Sequence, residues 1–293
     1  MDEKKINIIE KVYLLTQQDP EFDTEIRKKL SVASSANSII EEDRIEQIYE
    51  YCIEKISRKQ AQEFYKDFPL KSIVPLLTDD FVRMESFKRK DNFGDFCLAL
   101  YQQIECITNK LCELKELTYI TEKLWGYPAY VKQEKGKETT INNRSDSNYT
   151  IAALIFPGQN KKTGMPYSIE KSQTTLQSQY AKDKMRIIVY FLGYKCMMRT
   201  SDYDSYVEIT SLLTDIYNCR NMNHRGNTQT EWKIEALNKI IHLKSFYYFK
   251  FYGILTQYIE FVKTGFNALK DIQSFCDSVQ AKKQPLKAPK SSG

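Results

Sequence analysis

Residues 217–226, YNCRNMNHRG, bring together groups that could act on a phosphate. Arg220 precedes His224 by four positions, Asn221 follows the arginine, and Gly226 lies two positions past the histidine. In a helix, positions four apart share a face one turn apart, so a guanidinium and an imidazole could converge on one ligand atom. A guanidinium presents a planar fork of donors that matches phosphoryl oxygens. An imidazole takes up and releases protons near neutral pH, and the Asn221 carboxamide can hold its ring by a hydrogen bond. A glycine such as Gly226 ends a helix and leaves the histidine near an open end. The same residues also make an ordinary polar helix end, and spacing alone leaves both readings open.

The elements around this stretch must hold it in place. The chain of 293 residues has only 10 glycines and 8 prolines, which favours long helices over many short strands and turns. Apolar positions 93, 96, 97, 100, 104, 107, 111, 114 and 117 step by three or four and predict a core helix over 93–117. Helices are also predicted over 6–18, 38–66, 70–88, 176–198 and 206–219, with a long one over 231–269. The 176–198 stretch is apolar on most sides and belongs in the middle of a bundle. Residues 132–175 break the helical pattern and read as an insertion between core helices. Within it, YTIAALIFPG (149–158) reads as a strand and ETTINN (138–143) as its partner in a small β-hairpin. The expected architecture is therefore all-α. It comprises an N-terminal helical region (1–90), a helical bundle (91–275) with a β-hairpin and loop insertion at 132–175, and a disordered basic tail (276–293).

Composition narrows the function classes. Apolar residues at 42% and aromatics at 13% supply enough surface for a packed core. The net charge of +5 permits binding to nucleic acid without demanding it. Seven cysteines, at 52, 97, 106, 112, 196, 219 and 276, are scattered, odd in number and free of any CxxC pair, as in a reduced cytosolic chain. No run of about eighteen apolar residues occurs, and the N-terminal MDEKKINIIEKVYLL lacks the features of a secretion signal. A cytoplasmic protein away from membranes is expected. Neither a phosphate-binding P-loop nor an HExxH motif is present, and two histidines leave little room for a multi-histidine metal site. No cofactor and no metal are expected.

Arg220–Asn221, then His224 and Gly226, late in an all-helical chain and followed by a long helix, resemble the signature of the HEPN superfamily. The family core is a bundle of four or five helices, which the predicted helices at 93–119, 176–198, 206–224 and 231–269 could supply. Three residues separate Arg220 from His224, fewer than is usual in the family, and each missing residue turns the histidine by about 100°. The resemblance implies a metal-independent endoribonuclease, such as a toxin or antiviral-defence effector. It implies that His224 transfers protons around the ribose 2′-hydroxyl, whose attack on phosphorus leaves a 2′,3′-cyclic phosphate. It further implies that Arg220 stabilises the phosphoryl charge and that Asn221 orients His224. It implies a homodimer, with the site formed where two copies face each other, and RNA as substrate. Glu105, on the 93–117 helix, matches an acidic residue that several family members place facing the arginine–histidine pair. Its plain alternative is a boundary glutamate paired with Lys110. The shortened motif also suits a non-catalytic HEPN-like module that binds RNA, a nucleotide or a protein, and the N-terminal helices could dock a partner protein.

Four further features read as structural. Gln102 resembles Glu105 with less chemistry, and His242 is expected at a helix boundary or in the core. The aromatics over 246–252 are expected in the core and not as base-stacking platforms. RMESFKRK (83–90), with four basic side chains and one acid, reads as a solvated helix end.

Overall fold

The computed structural model describes residues 12–14, 16–34, 42–127, 131–134, 137–140, 150–195, 203–220 and 231–283, and these are mostly helical. The chain divides into two compact units, residues 1–64 and 65–293.

In the first unit, α1 (Pro20–Ser34) and α2 (Glu42–Phe64) share a small core of Phe22, Ile26 and Cys52, with Val12, Ile48 and Tyr51 packed against it. Phe22 and Ile26, like Ile48 and Cys52, lie four apart, so each helix turns one apolar stripe inward. The Asp19 carboxylate accepts from the backbone N–H groups of Glu21 and Phe22, both at 3.2 Å. It thereby caps α1, and Pro20 stands at the first helical position, where a missing N–H is harmless. The Phe22 N–H, followed by Lys59, holds the Asp19 carboxyl below its ordinary value.

The second unit takes in the helix that the sequence reading grouped with the N-terminal region. α3 (Val74–Arg89, entered through a 3-10 turn at Lys71–Ile73) packs along α4 (Phe93–Cys112) as an antiparallel pair, which places the unit boundary after Phe64 and not near residue 90. The turn between them uses Asp91 at φ 53°, a left-handed conformation that aspartate tolerates better than most residues. Asn92 then caps α4 by accepting from the Asp95 N–H.

α4 is the centre of the unit. Twelve of its twenty residues are buried, too many for one stripe, and it accordingly packs against helices on several sides. These are α3, α8 (Ala181–Ile188), α9 (Tyr203–Arg220) and α11 (Lys244–Lys283). Its buried polar groups are satisfied. The Gln103 Oε1 accepts from the Tyr65 hydroxyl at 2.6 Å, and its Nε2 donates to the Ala99 carbonyl at 3.1 Å. The Thr108 and Tyr258 hydroxyls meet at 2.6 Å. Tyr248 packs on Phe93 and Phe96 at one end of α4 and Tyr258 on Thr108 further along, so α11 runs parallel to α4.

Several boundaries differ from expectation. The 93–117 helix breaks after Cys112 and α5 (Lys115–Leu124) begins behind Leu114. The long C-terminal helix divides at Leu243 into α10 (Glu231–His242) and α11, which continues to Lys283 through the start of the expected tail. Residues 284–293 lie outside the described residues. The hairpin pairs β1 (Val131–Glu134) with β2 (Lys137–Thr140), and the expected strand at 149–158 is instead α6 (Ile151–Ile155). The Thr150 hydroxyl caps α6 by accepting from the Ala153 N–H. Its apolar residues run consecutively and include Ala152, Ala153 and Leu154, good helix formers, with no alternation. Ile151, Ile155 and Phe156 are buried, so this half of the insertion joins the core, while α7 (Tyr167–Ser172) packs on α6 with none of its residues buried. α8 passes into a π-helical segment, Val189–Lys195, which crosses α11 closely. A Cβ on Gly265 would stand 2.6 Å from the Leu192 backbone, so only glycine fits there.

Candidate functional site

Arg220, the last residue of α9, turns its side chain onto α4. Its guanidinium carbon lies 4.0 Å from the centre of the Tyr101 ring and 4.9 Å from that of Tyr217. The two rings meet edge to face at 5.7 Å. Arg220 Nη1 stands 3.5 Å from Glu105 Oε2, and Glu105 Oε1 accepts from the Tyr101 hydroxyl at 3.3 Å. Each helix therefore supplies one ring and, a turn later, one charge: Tyr101 and Glu105 from α4, Tyr217 and Arg220 from α9. The side chains of Arg220 and Glu105 are 23% and 32% exposed. The pair sits at a boundary where an anion could reach it and where charges interact more strongly than in open water. Burial, followed by the Glu105 charge, pushes the Tyr101 hydroxyl well above the ordinary tyrosine range, so it stays a donor to Glu105 at any physiological pH.

Beneath this cluster, Cys97 of α4 and Cys219 of α9 are fully buried. Burial first, then the neighbouring Cys219 thiol, pushes the Cys97 thiol far above its ordinary range. Both are free thiols.

A second guanidinium flanks the same ridge of α4. Arg83 of α3 donates to the Gln102 Oε1 at 2.7 Å and to the Asp80 carboxylate. Gln102 and Glu105 are three residues apart and share a face of α4. Two arginines, from α3 and α9, are thus anchored on neighbouring α4 positions. Asp80 is buried, and that burial raises its carboxyl above the ordinary value against the opposing pull of Arg83.

The structure brings together two of the four sequence-derived site residues, Arg220 and Glu105. The other two, Asn221 and His224, lie outside the described residues with Gly226. Lys110 bonds Glu113 at 2.6 Å and leaves Glu105 to Arg220. His242 is exposed at the end of α10. Sequence reasoning passed over Tyr101, Tyr217 and Asp80. The first two carried a signal, a tyrosine one turn ahead of each charge. Asp80 carried another, an acid placed between Leu77 and Met84 on the buried stripe of α3. Phe246 and Phe249, expected in the core, are 58% and 71% exposed. Among the described residues no group of three or more His, Cys, Asp or Glu is placed to hold a metal ion, and no helix is long and apolar enough to cross a membrane. In comparison with known proteins, the chain matches no family model, no curated protein and no solved structure.

Proposed function

We propose that this chain is a metal-independent endoribonuclease of HEPN type, acting in the cytoplasm as a toxin or defence effector. The observation that carries the proposal is the fixed setting of Arg220, held on the Tyr101 face and against Glu105 at the end of the helix that leads into Asn221 and His224. A guanidinium pinned in this way needs little reorganisation to stabilise charge growing on a phosphoryl oxygen. His224 would move the proton of the ribose 2′-hydroxyl, Asn221 would orient its ring, and the strand would break with a 2′,3′-cyclic phosphate. Arg83, one α4 turn away, would supply a neighbouring positive charge. Two copies of the chain would pair to complete the site.

The test is incubation of purified protein with RNA in EDTA. Cleavage by the wild type that disappears in His224→Ala and falls by about 10²–10³-fold in Arg220→Ala supports the reading. Equal cleavage by wild type and His224→Ala would remove it. The Glu105–Arg220 pairing favours a second reading, a non-catalytic RNA-binding module in which that contact only joins α4 to α9. Its mark is RNA affinity without cleavage, unchanged in His224→Ala.

A further inference from the structure

At the start of α11 the aromatic residues do not all turn inward. Tyr248 and Phe251 are buried against α4, but Phe246 and Phe249, three residues apart, face solvent. Each carries an ammonium over its ring. Lys250 lies 5.8 Å from the centre of Phe246, and Lys88 of α3 lies 5.0 Å from Phe249 and 5.6 Å from Tyr252. Lys88 opens a run of three basic residues with Arg89 and Lys90, and the latter two are exposed at the end of α3. Carboxylates are present as well. Asp91 bonds Lys244, Glu208 lies 3.6 Å from Lys250, and Glu85 acts on Tyr252.

Two large rings left in water are costly to keep in a surface that had the option of polar side chains there. Exposed apolar area of this kind marks a contact surface. Its rim selects the partner. Rings interleaved with lysines fit a strand whose bases can stack and whose phosphates lie alongside. A partner joined by apolar contact alone would not call for an ammonium at each ring.

We propose that Phe246, Phe249, Lys88 and the Lys88–Lys90 run form a binding surface for single-stranded RNA. It is distinct from the Arg220–Glu105 cluster: Tyr248, next to Phe249 on α11, packs on Phe93 and Phe96 of α4, whereas Arg220 meets Tyr101 and Glu105 further along the same helix. Stacking needs unpaired bases, so the surface selects single strands. The choice of RNA over DNA rests on the ribonuclease reading above, whereas the stacking chemistry does not.

The test is fluorescence anisotropy with a labelled 2′-O-methyl oligouridine, which cannot be cut through its own 2′-oxygen. Phe249→Ala and Phe246→Ala should each weaken binding by roughly tenfold. Lys88→Ala should lower the slope of log affinity against log salt by about 0.7. Unchanged thermal melts would show that these exposed substitutions leave the fold intact. Binding that is indifferent to all three substitutions, or equally tight for a duplex of the same length, overturns the proposal. Phe249-dependent binding by a wild-type protein that cuts nothing would uphold this surface and remove the nuclease. Cleavage lost in His224→Ala, with binding insensitive to Phe249, would do the reverse.

Discussion

Two edges of the second unit each place a cation over an aromatic ring, with opposite surroundings. At the α4–α9 edge, Arg220 stacks on Tyr101, a fully buried ring, and leans on the Glu105 carboxylate. At the α3–α11 edge, Lys88 covers Phe249, a ring mostly in water. The first arrangement spends a buried tyrosine on fixing one guanidinium, as a site that handles charge needs. The second leaves rings and ammonium groups open, which suits the capture of a flexible chain. The same pairwise contact therefore positions a group in one place and presents a surface in the other, and burial of the ring makes the difference.

Truncation of the two rings should separate the edges most sharply. Tyr101→Ala is expected to cost about 3–5 kcal/mol, as for other buried aromatics. Phe249→Ala should stay within about 0.5 kcal/mol. Denaturant melts of the two variants measure both. Similar costs would erase the distinction. Gly265→Ala, remote from either edge, sets the scale for a packing defect. Its Cβ would press on the Leu192 backbone at 2.6 Å, so a loss of about 1–3 kcal/mol is expected in the same melts.

Exchange of the cations is a finer probe. Arg220→Lys keeps the charge but gives up the flat stack and the fork of donors, and should lower cleavage on the order of tenfold. Lys88→Arg keeps everything that a phosphate contact requires and should leave oligouridine affinity within about twofold. Strand-scission and anisotropy assays read the two, and a result with the roles reversed would contradict the comparison.

The core of the unit was legible in the sequence because α4 repeats its apolar residues every three or four positions, and the helix starts where that period placed it, although it ends at Cys112 and not at 117. Buried residues 185 and 187–192 likewise announced themselves by forming a stretch that is apolar on most sides. The insertion was not legible in the same way. YTIAALIFPG contains an apolar run too short to separate strand from helix, and the Thr150 cap decides it locally. The surface aromatics were hidden for a related reason. Aromatics at helical spacing usually point to core, and the contrast between buried Tyr248 and exposed Phe249 depends on which side α4 lies. Within the candidate site, the resemblance offered the Arg220 pair as the partner of Glu105 beside the plain alternative Lys110, but spacing alone could not choose between them, because Arg220 is 115 positions away in sequence (220 minus 105) and meets Glu105 only through the α4–α9 packing.

The smallest expected effect is a pH dependence with opposite signs at Asp80, within α3, and at Asp91, in the turn that follows it. Burial raises the Asp80 carboxyl above 3.8, so the folded state holds its proton longer. That contribution to stability falls as pH rises from 3.8 through the raised value, and Asp80→Asn should flatten this part of the curve. Asp91 is lowered from 3.8, chiefly by its bond to Lys244. Its contribution is present above 3.8 and lost as pH drops below, and Asp91→Asn should remove that loss. Thermal midpoints across the acid range check both signs.

The most direct measurement is the chemistry of the cut end. A labelled RNA treated with wild-type protein in EDTA should yield an upstream fragment bearing a 2′,3′-cyclic phosphate, and a deoxyribose at the cleaved position should prevent scission. A fragment ending in a free 3′-hydroxyl, or scission that proceeds at the deoxyribose, would contradict the account.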